Sequence, residues 1–136
     1  DLYKSEVAPG LDKVNRDLMD RYKLRAPFST IGGRLVKGEP PKIINGRLMN
    51  FAFKSLNTLI QGSGADMAKQ AMIDYHKVAQ NSRLLLSLHD ELIISAETDV
   101  VQREAEKLAH CMIHAFTLDV PLIAEAKVGN NFAEVK

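Results

Sequence analysis

The sequence has 136 residues, 46% of them hydrophobic, which is enough apolar material for the core of one domain or of part of a larger one. Its formal net charge is +1 at pH 7, so overall charge selects no polyanionic partner and any electrostatic function has to come from local clustering. The single cysteine, Cys111, excludes an internal disulfide, and no apolar run approaches the ~20 residues of a membrane span, so a soluble chain in a reducing, cytoplasmic setting is expected.

The chain opens on DLYKSEV, without an initiator Met or a signal-peptide pattern, and reads as a fragment of a longer protein. Leu11, Val14, Leu18 and Tyr22 follow Pro9 and Gly10 at helical spacing and predict a first amphipathic helix. FSTIGGRLVKGEPP predicts a short hairpin turning at Gly32 and Gly33, closed by Gly38 and two prolines that cannot continue a ladder. A long helical stretch is expected from Gly46 to Val78, interrupted at QGSG, where Ser63 and Asp66 have capping-box spacing and would restart it. The aliphatic runs on either side of His89, Asp90 and Glu91 read as two strands. TDVVQREAEKLAHCMIHAF predicts another helix with Thr98 as N-cap, and VPLIAEAKV a last strand. No repeat, linker or low-complexity segment appears. The order predicts an α+β fold, with helices on one face of a small antiparallel sheet.

Within the long helical stretch, at about 100° per residue, Asn50, Lys54, Asn57 and Gln61 fall on one narrow stripe. Leu48, Met49, Phe53, Leu56, Leu59 and Ile60 cover the opposite arc. A solvated face is the ordinary explanation of a polar stripe. Here the stretch from Pro40 to Ala65 has no Asp or Glu while Lys42, Arg47 and Lys54 are present, a pattern suited to lying along phosphates. Asn and Gln amides are donors, and the minor groove presents acceptors at the edge of every base pair, so the stripe can grip a duplex without reading its sequence.

The tripeptide His89, Asp90, Glu91 raises a different question. A two-residue hairpin turn favours residues that tolerate positive φ, and Glu in its second position is a poor choice, so turn chemistry alone does not account for it. Adjacent strand-end carboxylates suit Mg²⁺, which takes one or two of them and fills its remaining positions with phosphate oxygens and water. A solvated acidic tip is the alternative on these three residues alone.

SLNTLIQGSGADMAKQAMI followed by LLLSLHDELIIS resembles the C-terminal palm region of family A DNA polymerases, the bacterial polymerase I and phage replicase type. HDEL between aliphatic strands looks like that family's motif C, and LNTLIQGSGAD like the helix before it, with a phage-like flavour in LNTL. The likeness extends more weakly to FSTIGGRLVKG, similar to the hairpin after the fingers, and to VPLIAEAKVGNNF, similar to the closing strand and tail. Residues 1–136 are therefore expected to be a C-terminal palm portion, a single partial domain.

The resemblance implies that Asp90 is a ligand of catalytic Mg²⁺ ions and Glu91 a carboxylate supporting the same metal site. It implies contacts from His89, Gln61 and Asn57 to the primer-template near the growing end. Where the family commonly has a basic residue earlier on the helix this chain has Phe53, with Lys54 beside it. Arg34 matches a basic residue of the family's hairpin and would touch the template strand. The implied partners are primer-template DNA, deoxynucleoside triphosphates and an upstream polymerase segment. That segment would carry the first metal-binding aspartate and the fingers helix with its Arg and Lys, motifs that do not occur in this chain, so the isolated chain is expected to be inactive. A bacterial or phage-infected cell is the implied setting.

Two rivals come from other classes. A metal phosphohydrolase of the His-Asp type also contains an HD pair, but builds its site from several His and Asp residues on helices. A non-enzymatic duplex-binding or scaffold fragment would show binding without turnover. Elsewhere, His110 and His114 have metal-ligand spacing without a third ligand by pattern, and are expected as surface histidines. Cys111 and Met112, at helical spacing with Leu108 and Ala115, are expected in the core.

Overall fold

The computed structural model describes residues 9–135, so the opening DLYKSEV lies outside the described residues. Two units divide the chain between Ser63 and Gly64.

In the first unit, α1 (Pro9–Lys23) forms where the apolar spacing places it, burying Leu18 and Tyr22 and leaving Val14 on the exposed side. The hairpin β1 (Phe28–Ser29) and β2 (Leu35–Val36) follows, with Phe28 opposite Val36. Its turn is closed by the Thr30 N–H donating to the Arg34 carbonyl at 3.0 Å and the Arg34 N–H donating to Thr30 Oγ1 at 3.2 Å. Phe28 joins Leu18, Tyr22 and Ala52 in a small core, packed by Met19, Val36, Phe51, Leu56 and Leu59.

The helix expected from Gly46 begins only at Ser55. Residues 42–49 instead form a second hairpin, β3 (Lys42–Ile44) and β4 (Arg47–Met49), turning through Asn45 at φ 51° and Gly46 at φ 74°. Asn45-Gly46 between Ile44 and Arg47 specifies such a turn because both of its central residues need positive φ, which a helix does not allow. A 3₁₀ turn (Ala52–Lys54) then leads into α2 (Ser55–Val78).

The break expected at QGSG is absent, and α2 runs through it for 24 residues. Ser63, expected to restart the helix as a cap, accepts a hydrogen bond from the Ile31 N–H at 3.1 Å. Gly62 has a packing reason. A Cβ at this position would come within 2.8 Å of Thr30 Cγ2, so glycine lets the β1–β2 hairpin lie against the helix, at a propensity cost of about 1 kcal/mol.

In the second unit, β5 (Ser82–Leu88) and β6 (Glu91–Ala96) pair antiparallel, from Ser82 opposite Ala96 to Leu88 opposite Glu91. Pairing steps from Leu84–Ile94 to Leu86–Ile93, so Leu85 is the extra residue of a β-bulge. Leu92 and Ile94 pack on Tyr75 of α2 and on Leu108 and Cys111 of α3 (Val101–Ile113). The other face carries Leu86 and Leu88, both about half exposed. The fold is α+β, and helices do cover one face of this hairpin. The strands, however, form three separate two-stranded antiparallel ladders.

Two further expectations are corrected here. Val100, not Thr98, holds the N-cap position of α3 without any side-chain hydrogen bond, because Val100 is itself buried and its carbonyl takes the Glu104 N–H at 3.0 Å. VPLIAEAKV alternates as a strand does, yet residues 121–129 join no ladder, and Val120 and Ile123 are strongly exposed. Alternation makes a strand only where a neighbour pairs with the backbone groups. Among the described residues no helix is long and apolar enough to cross a membrane.

Candidate active site

Because Leu88 pairs with Glu91, the loop between β5 and β6 consists of His89 and Asp90 alone. His89 sits at φ 53°, a left-handed conformation that His and Asn adopt several-fold more readily than most side chains. The poor fit expected of Glu in the turn is therefore corrected: Asp90 takes the second turn position, and Glu91 opens β6. Strand alternation puts Glu91 on the face away from Leu92 and Ile94. His89, Asp90 and Glu91 are all exposed and, among the described residues, make no side-chain hydrogen bond or ion pair.

No group of three His, Cys, Asp or Glu side chains gathers to hold an ion among the described residues. Two exposed carboxylates at a strand end do fit a hard divalent ion such as Mg²⁺ as part of its shell, since that ion retains water and takes phosphate oxygens for the remainder.

The donors read from the sequence lie in the first unit. Asn57 and Gln61 are exposed, one helical turn apart on α2. Asn50, expected at the head of their stripe, is not on the helix; it follows β4, and its Oδ1 accepts the Ala52 N–H at 3.2 Å. Lys54 Nζ lies 3.2 Å from Glu39 Oε1 and 4.5 Å from the Phe51 ring centroid. Lys42 approaches the same carboxylate at 3.7 Å and the same ring at 5.6 Å. Glu39 stands one residue outside the acid-free stretch, which is why the sequence pattern missed it. The Lys54 hydrogen bond, with Lys42 nearby, holds its carboxyl below the usual range. Phe53 is largely exposed. Arg34 Nη2 donates to the Gly62 carbonyl at 2.8 Å, tying the hairpin to α2.

A site that sequence periodicity could not reveal lies at the base of β5–β6. Glu104 on α3 is fully buried, and its Oε2 accepts from Ser82 Oγ at 2.6 Å, Tyr75 Oη at 3.0 Å and the Gln80 N–H at 3.1 Å. Lys107 Nζ donates to Oε1 at 2.7 Å. Burial works to raise the carboxyl's pKa, but the bonds from Lys107, Ser82, Gln80 and Tyr75 outweigh it and bring it down to about 2. Burial likewise pushes the Tyr75 phenol up. A shallow hollow lined by Asn81, Ser82, Arg83, Ser95, Ala96 and Glu97 opens at this base. Cys111 is buried as expected, and burial pushes its thiol up, away from a reactive thiolate.

A profile of DNA polymerase family A matches residues 7–134. The DNA polymerase I of Bacillus caldotenax is 32% identical in an alignment covering 96% of this chain and 16% of that protein. That of Caldicellulosiruptor bescii is 41% identical over 70% of this chain and 12% of its own length. Among solved structures, the POL domain of Pol1 from M. smegmatis, in complex with DNA primer-template and dNTP, matches with a TM-score of 0.68 at 29% identity. That match covers 84% of this chain and 21% of the neighbour. The chain thus spans a small part of the relatives it matches. With the profile running nearly end to end over it, the chain belongs to DNA polymerase family A.

Proposed function

We propose that residues 1–136 are the C-terminal palm portion of a DNA-directed DNA polymerase, one partial domain acting in template-directed nucleotidyl transfer during replication or repair. The observation that carries this reading is the hairpin tip, where Asp90 in the loop and Glu91 at the head of β6 stand exposed on a chain of this family. The neighbour's complex with DNA primer-template and dNTP supports the same two partners here. The third partner is an upstream polymerase segment with the remaining aspartate and the fingers helix. A cytoplasmic setting fits the single buried, unpaired Cys111.

Asp90 and Glu91 would hold Mg²⁺. When bound, it supplies positive charge that acidifies the primer 3′-hydroxyl and offsets charge on the departing pyrophosphate. The chain's own residues do the positioning. Asn57 and Gln61 donate to minor-groove acceptors shared by all base pairs, and His89 lies beside Asp90 to contact the primer end. Arg34 and Lys54 would reach phosphates, in competition with the Gly62 carbonyl and with Glu39. A single-sign phosphate backbone outbids such exposed pairs at low salt.

Primer extension by this chain mixed with a polypeptide bearing the upstream motifs tests the reading. Asp90→Asn keeps size and hydrogen bonding but removes the charge, so extension should fall roughly a thousandfold or more while duplex binding changes little. Extension at the wild-type rate by Asp90→Asn would remove the tip from the reaction.

A further inference from the structure

His110 lies in the last turn of α3 and His114 is the C-cap residue that follows it, and the proposed polymerase chemistry uses neither. Their rings stack with centroids 4.0 Å apart and planes 23° from parallel, and both side chains are exposed. Nδ1 of His114 lies 2.9 Å from the backbone carbonyl of His110. A carbonyl oxygen only accepts, so Nδ1 carries the hydrogen, and in the neutral ring the lone pair is on Nε2. Metal-ligating histidines are oriented this way, one ring nitrogen donating to a carbonyl and the other left for the ion. The His110 side chain is exposed and makes no hydrogen bond among the described residues, so no hydrogen bond would have to break for its ring to turn from the stack towards the same point. The unpaired carbonyls of a helix C-terminus add a favourable field for a cation.

We propose that His110 and His114 form a two-histidine site for a divalent transition ion of the imidazole-preferring class, Zn²⁺ or Cu²⁺, closing the last turn of α3. No third protein ligand gathers there among the described residues, so water completes the coordination and the affinity is modest. The site differs in kind from the carboxylate tip. Imidazole selects zinc and copper, whereas magnesium takes oxygen ligands, so the two ions would not compete.

The test is calorimetric titration of the whole chain with Zn²⁺ in excess Mg²⁺, which occupies oxygen sites. One equivalent should bind, and His110→Ala and His114→Ala should each weaken it by roughly tenfold or more, the least that loss of even an outer partner costs a metal site. His76→Ala and His89→Ala, exposed elsewhere, should leave the affinity unchanged. With Cu²⁺, electron paramagnetic resonance should resolve two equivalent nitrogens in the wild type and one in either variant. All these side chains are exposed, so circular dichroism should report the same fold throughout. Absence of stoichiometric Zn²⁺ binding at millimolar ion, or binding unaffected by both α3 variants, or binding lost in His76→Ala or His89→Ala, would overturn the proposal.

Discussion

The two ends of the β5–β6 hairpin contrast in every physical respect. At its base, Ser82 enters a buried knot in which one carboxylate, Glu104, is met by four donors from three separate stretches of chain. At its tip, His89, Asp90 and Glu91 face solvent without side-chain partners among the described residues. A carboxylate bonded on all sides cannot take a substrate or an ion without breaking the fold, whereas one left exposed contributes little to stability and is available for chemistry. On the proposed function, the hairpin separates the two tasks along its length. Glu104 fixes where the strands start, and the bulge at Leu85 and the pairing of Leu88 with Glu91 fix which residues reach the turn.

The sharpest way to break this contrast is to empty the base. Glu104→Ala leaves Ser82, Tyr75, the Gln80 N–H and Lys107 without their shared acceptor, and removing one partner of a buried pair typically costs about 3–5 kcal/mol. Chemical denaturation should show a loss of that size; a change under about 1 kcal/mol would mean that the knot is solvated in solution.

The same carboxylate gives the contrast a pH signature. Its folded-state pKa, about 2, lies below the ordinary glutamate value of 4.5, so its stabilisation is present above 4.5 and is lost as pH falls from there towards 2. Denaturation midpoints of the wild type should therefore decline across this window. Glu104→Gln should start lower and decline less steeply. Parallel slopes for the two proteins would assign acid sensitivity to other carboxylates.

How far these two ends were legible in the sequence differs for a physical reason. The tip announced itself, because two acids between aliphatic runs interrupt a pattern that burial imposes, and the helical spacing of Leu18 and Tyr22 announced α1 in the same way. Glu104 could not be read. On a helix it looks like any solvated acid, and the hydroxyls that bury it stand 22 and 29 residues away. Glu39 stands just outside the acid-free stretch, and its ion pair with Lys54 is a tertiary contact across 15 residues. Asn45-Gly46 was legible by turn chemistry but lost to the longer helical periodicity around it, and Gly62 looked like a breaker because its reason, the approach of Thr30, lies on another element. The expected last strand failed for want of a pairing neighbour, which no local pattern can supply.

A smaller perturbation of the base sharpens the comparison. Ser82→Ala removes the 2.6 Å bond to Glu104 and the 2.7 Å contact with Tyr75, but leaves the carboxylate three other donors. The loss should be about 1.5–3 kcal/mol, the range for one hydrogen bond to a charged group. Because Ser82 and Glu104 touch, the double variant with Glu104→Ala should lose less than the sum of the two single losses, and a double-mutant cycle measures the difference. Strict additivity would mean that the two groups act independently.

The smallest effect is expected at the tip, where His89→Gly sets two small terms against each other. Glycine adopts φ 53° without steric cost, which favours the folded turn, but it also gives the unfolded chain more freedom to lose. The His89 side chain is exposed and makes no hydrogen bond among the described residues, so no contact energy enters on either side. Net stability should stay within about 0.5 kcal/mol of the wild type, as should that of Asp90→Asn, whose carboxylate is likewise exposed and without a partner among the described residues. In the reconstituted primer-extension assay both should nevertheless fall on the proposed roles, Asp90→Asn far more than His89→Gly, since one would remove a metal-holding charge and the other a positioning contact. A tip variant that lost several kcal/mol of stability would show that the turn is a structural staple like the base, and the division of labour along the hairpin would fail with it.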